Sequence, residues 1–532
     1  MTLTVSCSGL EVPPAVRDTL ARDDVAARLA GGDPTLFGSG AGAGDLGWLA
    51  LPERSRDLVG RIAALRDELR AEGLDRVVLC GTGGSALPAE AICRTAGVPL
   101  TVVDTTDPGQ VALALADLER TVVVVGSRSG DTLETDTLHR VFVASFRAAG
   151  VPERDIGGRF VVVTAPGSPL AEAAEELAAR ALFPADPRIG GRWSALSASG
   201  LVPAGLAGVD VGGLLDEAAE LGGRLAAPDN PALELGAVLG AAFLAGRDKL
   251  ALVDGAVEGG PAGGLACWVE HLLAQSTGKE GRGLLPVVLE SAVAPGAAGP
   301  DAALAVVGGA PAGPGPSLGV AGPLGAQFLG WEYATAVAAR LLEVDPFDDP
   351  DTAEPVRNAR RVLDEGLPDD PPLATIGAVQ LWATGGLLDQ VDLSQHDGLS
   401  LALDALLAAV PERGYLAVAA YLDRDRDTAA AQLRSAFAAR TDRAVTFGWG
   451  PRYLHCTGQY QKGGPPLGTF LQVTGVVGED LPVPDRPWSL GDLQAAQAAG
   501  DRRALADRGR PVLRLHLTDR SAGVAQVLEA VC

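Results

Sequence analysis

An α/β fold built on doubly wound parallel sheets is what this 532-residue chain predicts. Three observations carry the prediction. Short β-branched runs alternate with helical patterns from residue 74 onward. The runs are apolar at nearly every position, as strands buried on both faces must be. Turns rich in glycine and serine follow strands and open helices, which is the grammar of a βα unit. A chain this long exceeds one core, so two to four domains are expected.

Residues 1–60 read as a helical, partly irregular lead-in. Residues 61–220 form the first α/β unit. In it, strand Val77–Cys80 runs into Gly81-Thr-Gly-Gly-Ser85 and a helix to Ile92. Strands Leu100–Val103, Thr121–Val125 and Phe160–Val163 follow, the last leading to an Ala/Glu-rich helix ending at Arg180. Residues 221–365 form a second unit: helix Ala232–Arg247, strand Leu250–Val253, helix Gly264–Gln275, strands Pro286–Leu289 and Ala303–Val307, and helix Gln327–Leu342. Ala292–Gly319, rich in Gly, Pro and Ala, reads as loop around the last of these strands. Residues 366–532 form a C-terminal α/β extension. Its strands are Tyr415–Tyr421, Ala444–Phe447, Phe470–Thr474 and Leu513–Leu517, with a helix over Thr428–Arg440 and a Gly-rich stretch from Gly448 to Gly468.

The formal net charge of −24 argues against nucleic-acid or anionic-membrane partners. An anionic ligand would need a local positive pocket. No apolar run reaches membrane-spanning length and no export signal is read at the start, so a cytoplasmic location is expected. The six cysteines form no C-x-x-C pair, so neither metal nor disulfide framework is expected. Only three lysines occur, Lys249, Lys279 and Lys462, and two lie in Gly-rich segments.

The most informative segment is Gly126-Ser127-Arg128-Ser129-Gly130-Asp131-Thr132-Leu133-Glu134-Thr135, between a buried strand and a helix. Hydroxyls, one guanidinium and the positive end of a helix make a phosphate cradle. Charge-assisted bonds there contribute ~1.5–3 kcal/mol each. Gly81-Thr-Gly-Gly-Ser85 lacks the spacing of a dinucleotide fingerprint. Ile189-Gly-Gly-Arg192-Trp-Ser aims a cation from a Gly turn. Gln275-Ser-Thr-Gly-Lys279-Glu280 ends a helix, and His455-Cys-Thr-Gly-Gln459-Tyr-Gln461-Lys462-Gly-Gly brings one imidazole and one ammonium in a Gly-rich loop.

In this order, G-T-G-G-S-A, S-R-S-G-D-T-L-E-T, G-G-R-W-S-A-L-S-A-S-G-L and Q-S-T-G-K-E-G-R-G resemble the motifs of the glucose-6-phosphate isomerase family. The likeness is strongest to the actinobacterial form often fused behind a transaldolase, with no transaldolase stretch read within these residues. The resemblance implies two sugar-isomerase (SIS) domains, no cofactor, no metal, and interconversion of glucose 6-phosphate and fructose 6-phosphate through a cis-enediol. It implies Ser127, Arg128, Ser129 and Thr132 as the phosphate loop, and Gly83, Gly84, Ser85 and Lys279 against the sugar. Arg192 would hold the enediolate, and His455 or Lys462 would open the ring. Expected partners are a hexose phosphate and either a second copy of the chain or a pentose-phosphate enzyme.

The chain departs from the family at the proton-transfer positions. The resemblance puts a glutamate base at Gln275, a glutamine at Asp349, a lysine at Val356 and a histidine at Gln461. An amide cannot take a proton near neutral pH, and losing a positioned base typically costs ~10²–10⁴-fold. Two expectations follow. Either another carboxylate, Glu280 or Glu270, serves as base, or the chain binds phosphosugar with little turnover.

Overall fold

The computed structural model describes residues 3–38, 43–255, 264–368 and 370–532. An N-terminal strand β1 (Thr4–Ser8) precedes three parallel sheets. The first sheet comprises β2 (Arg76–Cys80), β3 (Thr101–Val103), β4 (Thr121–Ser127), β5 (Phe160–Thr164) and β6 (Ala181–Pro184), in the order β3-β2-β4-β5-β6. The second comprises β7 (Lys249–Asp254), β8 (Leu285–Val288), β9 (Ala302–Val307) and β10 (Ser317–Ala321), in the order β8-β7-β9-β10, with β1 antiparallel on the outer edge. The third comprises β11 (Ala374–Ile376), β12 (Val379–Ala383), β13 (Tyr415–Tyr421), β14 (Ala444–Trp449), β15 (Gly468–Gly475) and β16 (Val512–Leu517). There β14-β13-β15-β16 run parallel, and β12 and β11 close the edge antiparallel.

The expected α/β class with parallel sheets is what the chain adopts. All three sheets share one winding, in which the second strand lies outside the first and the third returns to its other side. The C-terminal region therefore repeats the topology of the first two units. The central strands explain themselves: every residue of β4 and of β13 is buried, which suits their Val- and Ala-rich runs.

Four differences from the sequence reading have physical causes. Thr4–Ser8, within the stretch read as helical, is a mostly exposed edge strand, and its alternation of Val5 and Cys7 with Thr4, Ser6 and Ser8 is too short to mark it. β6 has four residues, only one of them buried. β10 lies in the Gly/Pro-rich segment read as loop; a Cβ on its Gly319 would fall 2.5 Å from the Gly309 carbonyl oxygen, so glycine serves close packing there. Residues 448–468 also contain two short helices, Arg452–His455 and Gly458–Gly463, which place His455 and Lys462 on helical turns. Among the described residues no helix is long and apolar enough to cross a membrane.

Candidate active site

In open parallel sheets, ligands bind beyond the carboxyl ends of the strands where the strand order reverses. In the first sheet that point lies between β2 and β4. The turn Gly81–Ser85 leaves β2 and the turn Ser127–Thr132 leaves β4, and both line a cavity of about 740 Å³. The second unit adds the helix Leu265–Thr277 and the segment around Asp349; the third adds His455, Lys462 and Gln497.

The Ser127–Thr132 turn is closed by its own hydroxyls. Ser127 Oγ lies 2.9 Å from Thr132 Oγ1 and accepts the Gly130 N–H at 3.0 Å. Gly130 has φ +74°, and a Cβ there would fall 2.6 Å from Ser168, so only glycine fits. Arg128 and Ser129 are exposed, and Arg128 Nη1 donates to the Pro187 carbonyl at 2.8 Å. The helix Leu133–Ala148 begins directly after Thr132 and turns its N-terminus toward this loop.

Arg192 is reached through a backbone contact. A Cβ on Gly84 would sit 2.0 Å from the Gly191 carbonyl oxygen, so the two glycine turns interlock. The Arg192 side chain is 2% exposed. It donates to Ser276 Oγ (3.0 Å), Pro346 O (2.7 Å) and Asp348 O (2.7 Å). Burial pushes its pKa down to about 10, against the pull of Asp349 and Asp348, and it keeps its charge at neutral pH. Its Nη1 stands 3.7 Å from Asp349 Oδ2. Gln275 Nε2 donates to the same Asp349 oxygen at 3.1 Å. Asp349 lines the cavity, with 44% of its side chain exposed.

Neither expected substitute carboxylate is there. Glu280 is exposed at the end of its helix, Glu270 is half-buried, and neither lines the cavity. Lys279 also departs from expectation: it does not touch the cavity. Its Nζ donates to Asp348 Oδ1 (2.5 Å) and Asp348 O (2.6 Å), so it anchors the loop carrying Asp349. Burial, with Arg192 nearby, pushes its pKa down to about 8.

His455 sits against Gly83 and pairs with Glu134, Nε2 to Oε1 at 2.9 Å; Gln497 Nε2 donates to the same oxygen at 2.7 Å. Burial works to strip the imidazolium proton, but the Glu134 carboxylate outweighs it and holds the pKa above the ordinary value. Lys462 is fully buried and ion-paired with Asp501. Arg452, just before His455, pairs with Glu90 (2.6 Å) and Asp104 (2.5 Å) and so fastens this segment to the first unit. Breaking such a buried pair costs about 3–5 kcal/mol.

Two cavity residues were given no role in the sequence reading, and a third was met there only as a departure. Glu134 sits in the first helical turn, where an acid reads as a dipole partner. His271 lies one turn before Gln275 and is kept neutral, its pKa down at about 3, by burial and by the charges of Arg192 and His455. Asp349 carried a signal: a carboxylate appears where the family resemblance has an amide, as an amide appears where it has a carboxylate.

No family model matches the chain. A stretch of 223 residues, 40% of this chain and 49% of the relative, is 36% identical to a probable glucose-6-phosphate isomerase of Haloarcula marismortui. A stretch of 200 residues, 33% of this chain and 37% of the relative, is 32% identical to a glucose-6-phosphate isomerase of Rippkaea orientalis. The chain thus spans half or less of the length of these curated relatives. The fold is similar to a crystal structure of a glucose-6-phosphate isomerase from Chlamydia trachomatis, with a TM-score of 0.57 and 18% identity over 69% of this chain and 90% of that one. In sequence the chain is a homologue of curated proteins named glucose-6-phosphate isomerase, and in fold it is similar to a solved one.

Proposed function

We propose that the protein interconverts glucose 6-phosphate and fructose 6-phosphate, with Asp349 in place of the base missing at Gln275. The observation that carries this reading is the exchange of carboxylate and amide between positions 275 and 349, beside Arg192. The substrate phosphate rests on Ser127, Arg128, Ser129 and Thr132. His455, whose proton the Glu134 carboxylate favours, or Lys462 gives a proton to the ring oxygen; the bond from C1 to the ring oxygen breaks as the C1 hydroxyl releases its proton to water and becomes the carbonyl. Asp349 takes the proton from C2 of the open aldose, the C1 carbonyl becomes the enediolate oxygen, and Arg192 balances its charge. The O2 hydroxyl passes its proton to O1, Asp349 returns its proton to C1, and the electron pair on O2 closes the ketone at C2. Gln275, by donating to Asp349, keeps one carboxylate oxygen oriented and acts as a positioning residue. Against binding without turnover stands the presence of one carboxylate, Asp349, in the cavity beside Arg192. A cytoplasmic location, and association with a second copy or a pentose-phosphate enzyme, remain parts of this proposal.

The test is a coupled assay in both directions on the purified chain. Turnover of both hexose phosphates is expected; binding without turnover would overturn the reading. Ser127→Ala is expected to weaken hexose-phosphate binding about ten- to hundredfold, the worth of one hydrogen bond to a charged group, as read by calorimetry. Glu134→Gln removes the carboxylate that holds the His455 proton, so the imidazolium is lost at lower pH. The alkaline limb of the kcat/KM profile is then expected to move to lower pH, with the acid limb unmoved. An unshifted alkaline limb would remove His455 from the acid role.

A further inference from the structure

A sheet face covered by a helix is normally apolar. The face of β12, β16 and β15 beneath the helix Leu490–Asp507 is not. Trp382, Arg514 and Gln472 stand in register across the three strands, and Gln380, His516 and Thr474 form the next row. The opposite face of the same strands carries Leu381, Leu471, Val473, Leu513 and Leu515, all in an apolar cluster. Above the polar rows the helix presents Ala495, Ala498 and Ala499, whose short side chains leave room, and Arg502. Between them lies a cavity of about 340 Å³ that shares no lining residue with the active-site cavity. It starts at Tyr421 and Gly475, the carboxyl ends of β13 and β15, where this sheet's strand order reverses.

Two arginines of this cavity call for a ligand. Arg502 and Arg514 both line it, and neither guanidinium makes an ion pair or hydrogen bond with another described residue. Arg514 stacks its guanidinium 4.3 Å from the centre of the Trp382 ring. Burial disfavours both charges, and Arg502 further disfavours that of Arg514; Asp370, at the rim, is the carboxylate that offsets them. Gln472 is 3% exposed; its Nε2 donates to the Ala498 carbonyl at 2.8 Å, while its Oε1 is fully buried without a partner. Half-buried charges without partners are costly unless something completes them. An anionic group answers the two arginines, while the Gln472 oxygen is sealed off from the cavity.

We infer that this cavity binds a small organic anion, a phosphate- or carboxylate-bearing molecule, held between Arg502 and Arg514. The inference is independent of the isomerase reading, because binding rather than turnover tests it. Calorimetry on the full chain would use glycerol 3-phosphate and citrate as probes, with glycerol as the uncharged control. Saturable binding of at least one anion and none of glycerol is expected. Affinity is expected to survive Ser127→Ala, which alters only the first cavity, and to fall at least tenfold in Arg514→Gln. Ala495→Phe fills the space without removing a charge and is expected to do the same, which covers the case of an Arg514 variant that does not fold. The inference is overturned if neither anion binds at millimolar concentration, if Ser127→Ala alone abolishes binding, or if Ala495→Phe leaves it unchanged. Preference for one probe tells phosphate from carboxylate.

Discussion

Asparagine at position 349 is expected to lower kcat for hexose-phosphate isomerisation by about 10²–10⁴-fold, with KM changed only a few-fold. The substitution keeps the shape and the hydrogen bond from Gln275 but removes the proton acceptor. Retention of more than a third of wild-type kcat would exclude Asp349 as the base. Substitutions at position 275 sharpen the test. Gln275→Glu alone would put a second carboxylate at the 3.1 Å contact with Asp349 Oδ2. Two carboxylates that close cannot both ionise, so one is held neutral. Activity at neutral pH is then expected to fall, with the acid limb of the pH profile displaced upward. In the double variant Gln275→Glu with Asp349→Gln the pair is exchanged whole, and activity is expected to exceed that of Asp349→Gln by at least tenfold. A large gain from Gln275→Glu alone, with Asp349→Asn silent, would instead show that position 275 remains the site of proton transfer.

Arg192→Met is expected to cost about 10²–10³-fold in kcat, the usual effect of removing a preorganised oxyanion partner. The guanidinium is held by three acceptors, Ser276, Pro346 and Asp348, leaving Nη1 beside Asp349. Lysine cannot reproduce that fork, so Arg192→Lys is expected to recover little. Because Arg192 also ties down the loop bearing Asp349, calorimetric binding of a hexose phosphate separates the two roles. Affinity within a few-fold of wild type with kcat lost marks a catalytic effect. Loss of binding together with a lowered Tm would mark a structural one.

The parallel strands were legible because burial on both faces demands apolar runs, as in Val122–Val125. The turn at Ser127–Thr132 was legible as a cavity-lining loop because hydroxyls and glycine crowd between such a strand and a helix. Arg192 was legible from its glycine turn, but its hold on Pro346 and Asp348 was not, since both are backbone contacts more than 150 residues away in sequence. Lys279 misled for a related reason: an ammonium in a Gly-rich motif resembles a ligand contact, yet its partner is a loop of the same chain. Asp349 was seen only as a departure, because a pair exchange across 74 residues shows its sense only when the two side chains meet. The C-terminal region hid its kinship with the other two units because its edge strands β11 and β12 are short and half-exposed.

The fastening of the His455 segment to the first unit through Arg452, Glu90 and Asp104 bears on how the protein behaves at low abundance. Every group invoked for turnover belongs to one polypeptide, so dilution cannot separate them. Specific activity is expected to stay constant across protein concentrations that would dissociate any assembly, and mixing two chains inactivated at different positions, such as Asp349→Asn with Arg192→Met, is expected to restore nothing.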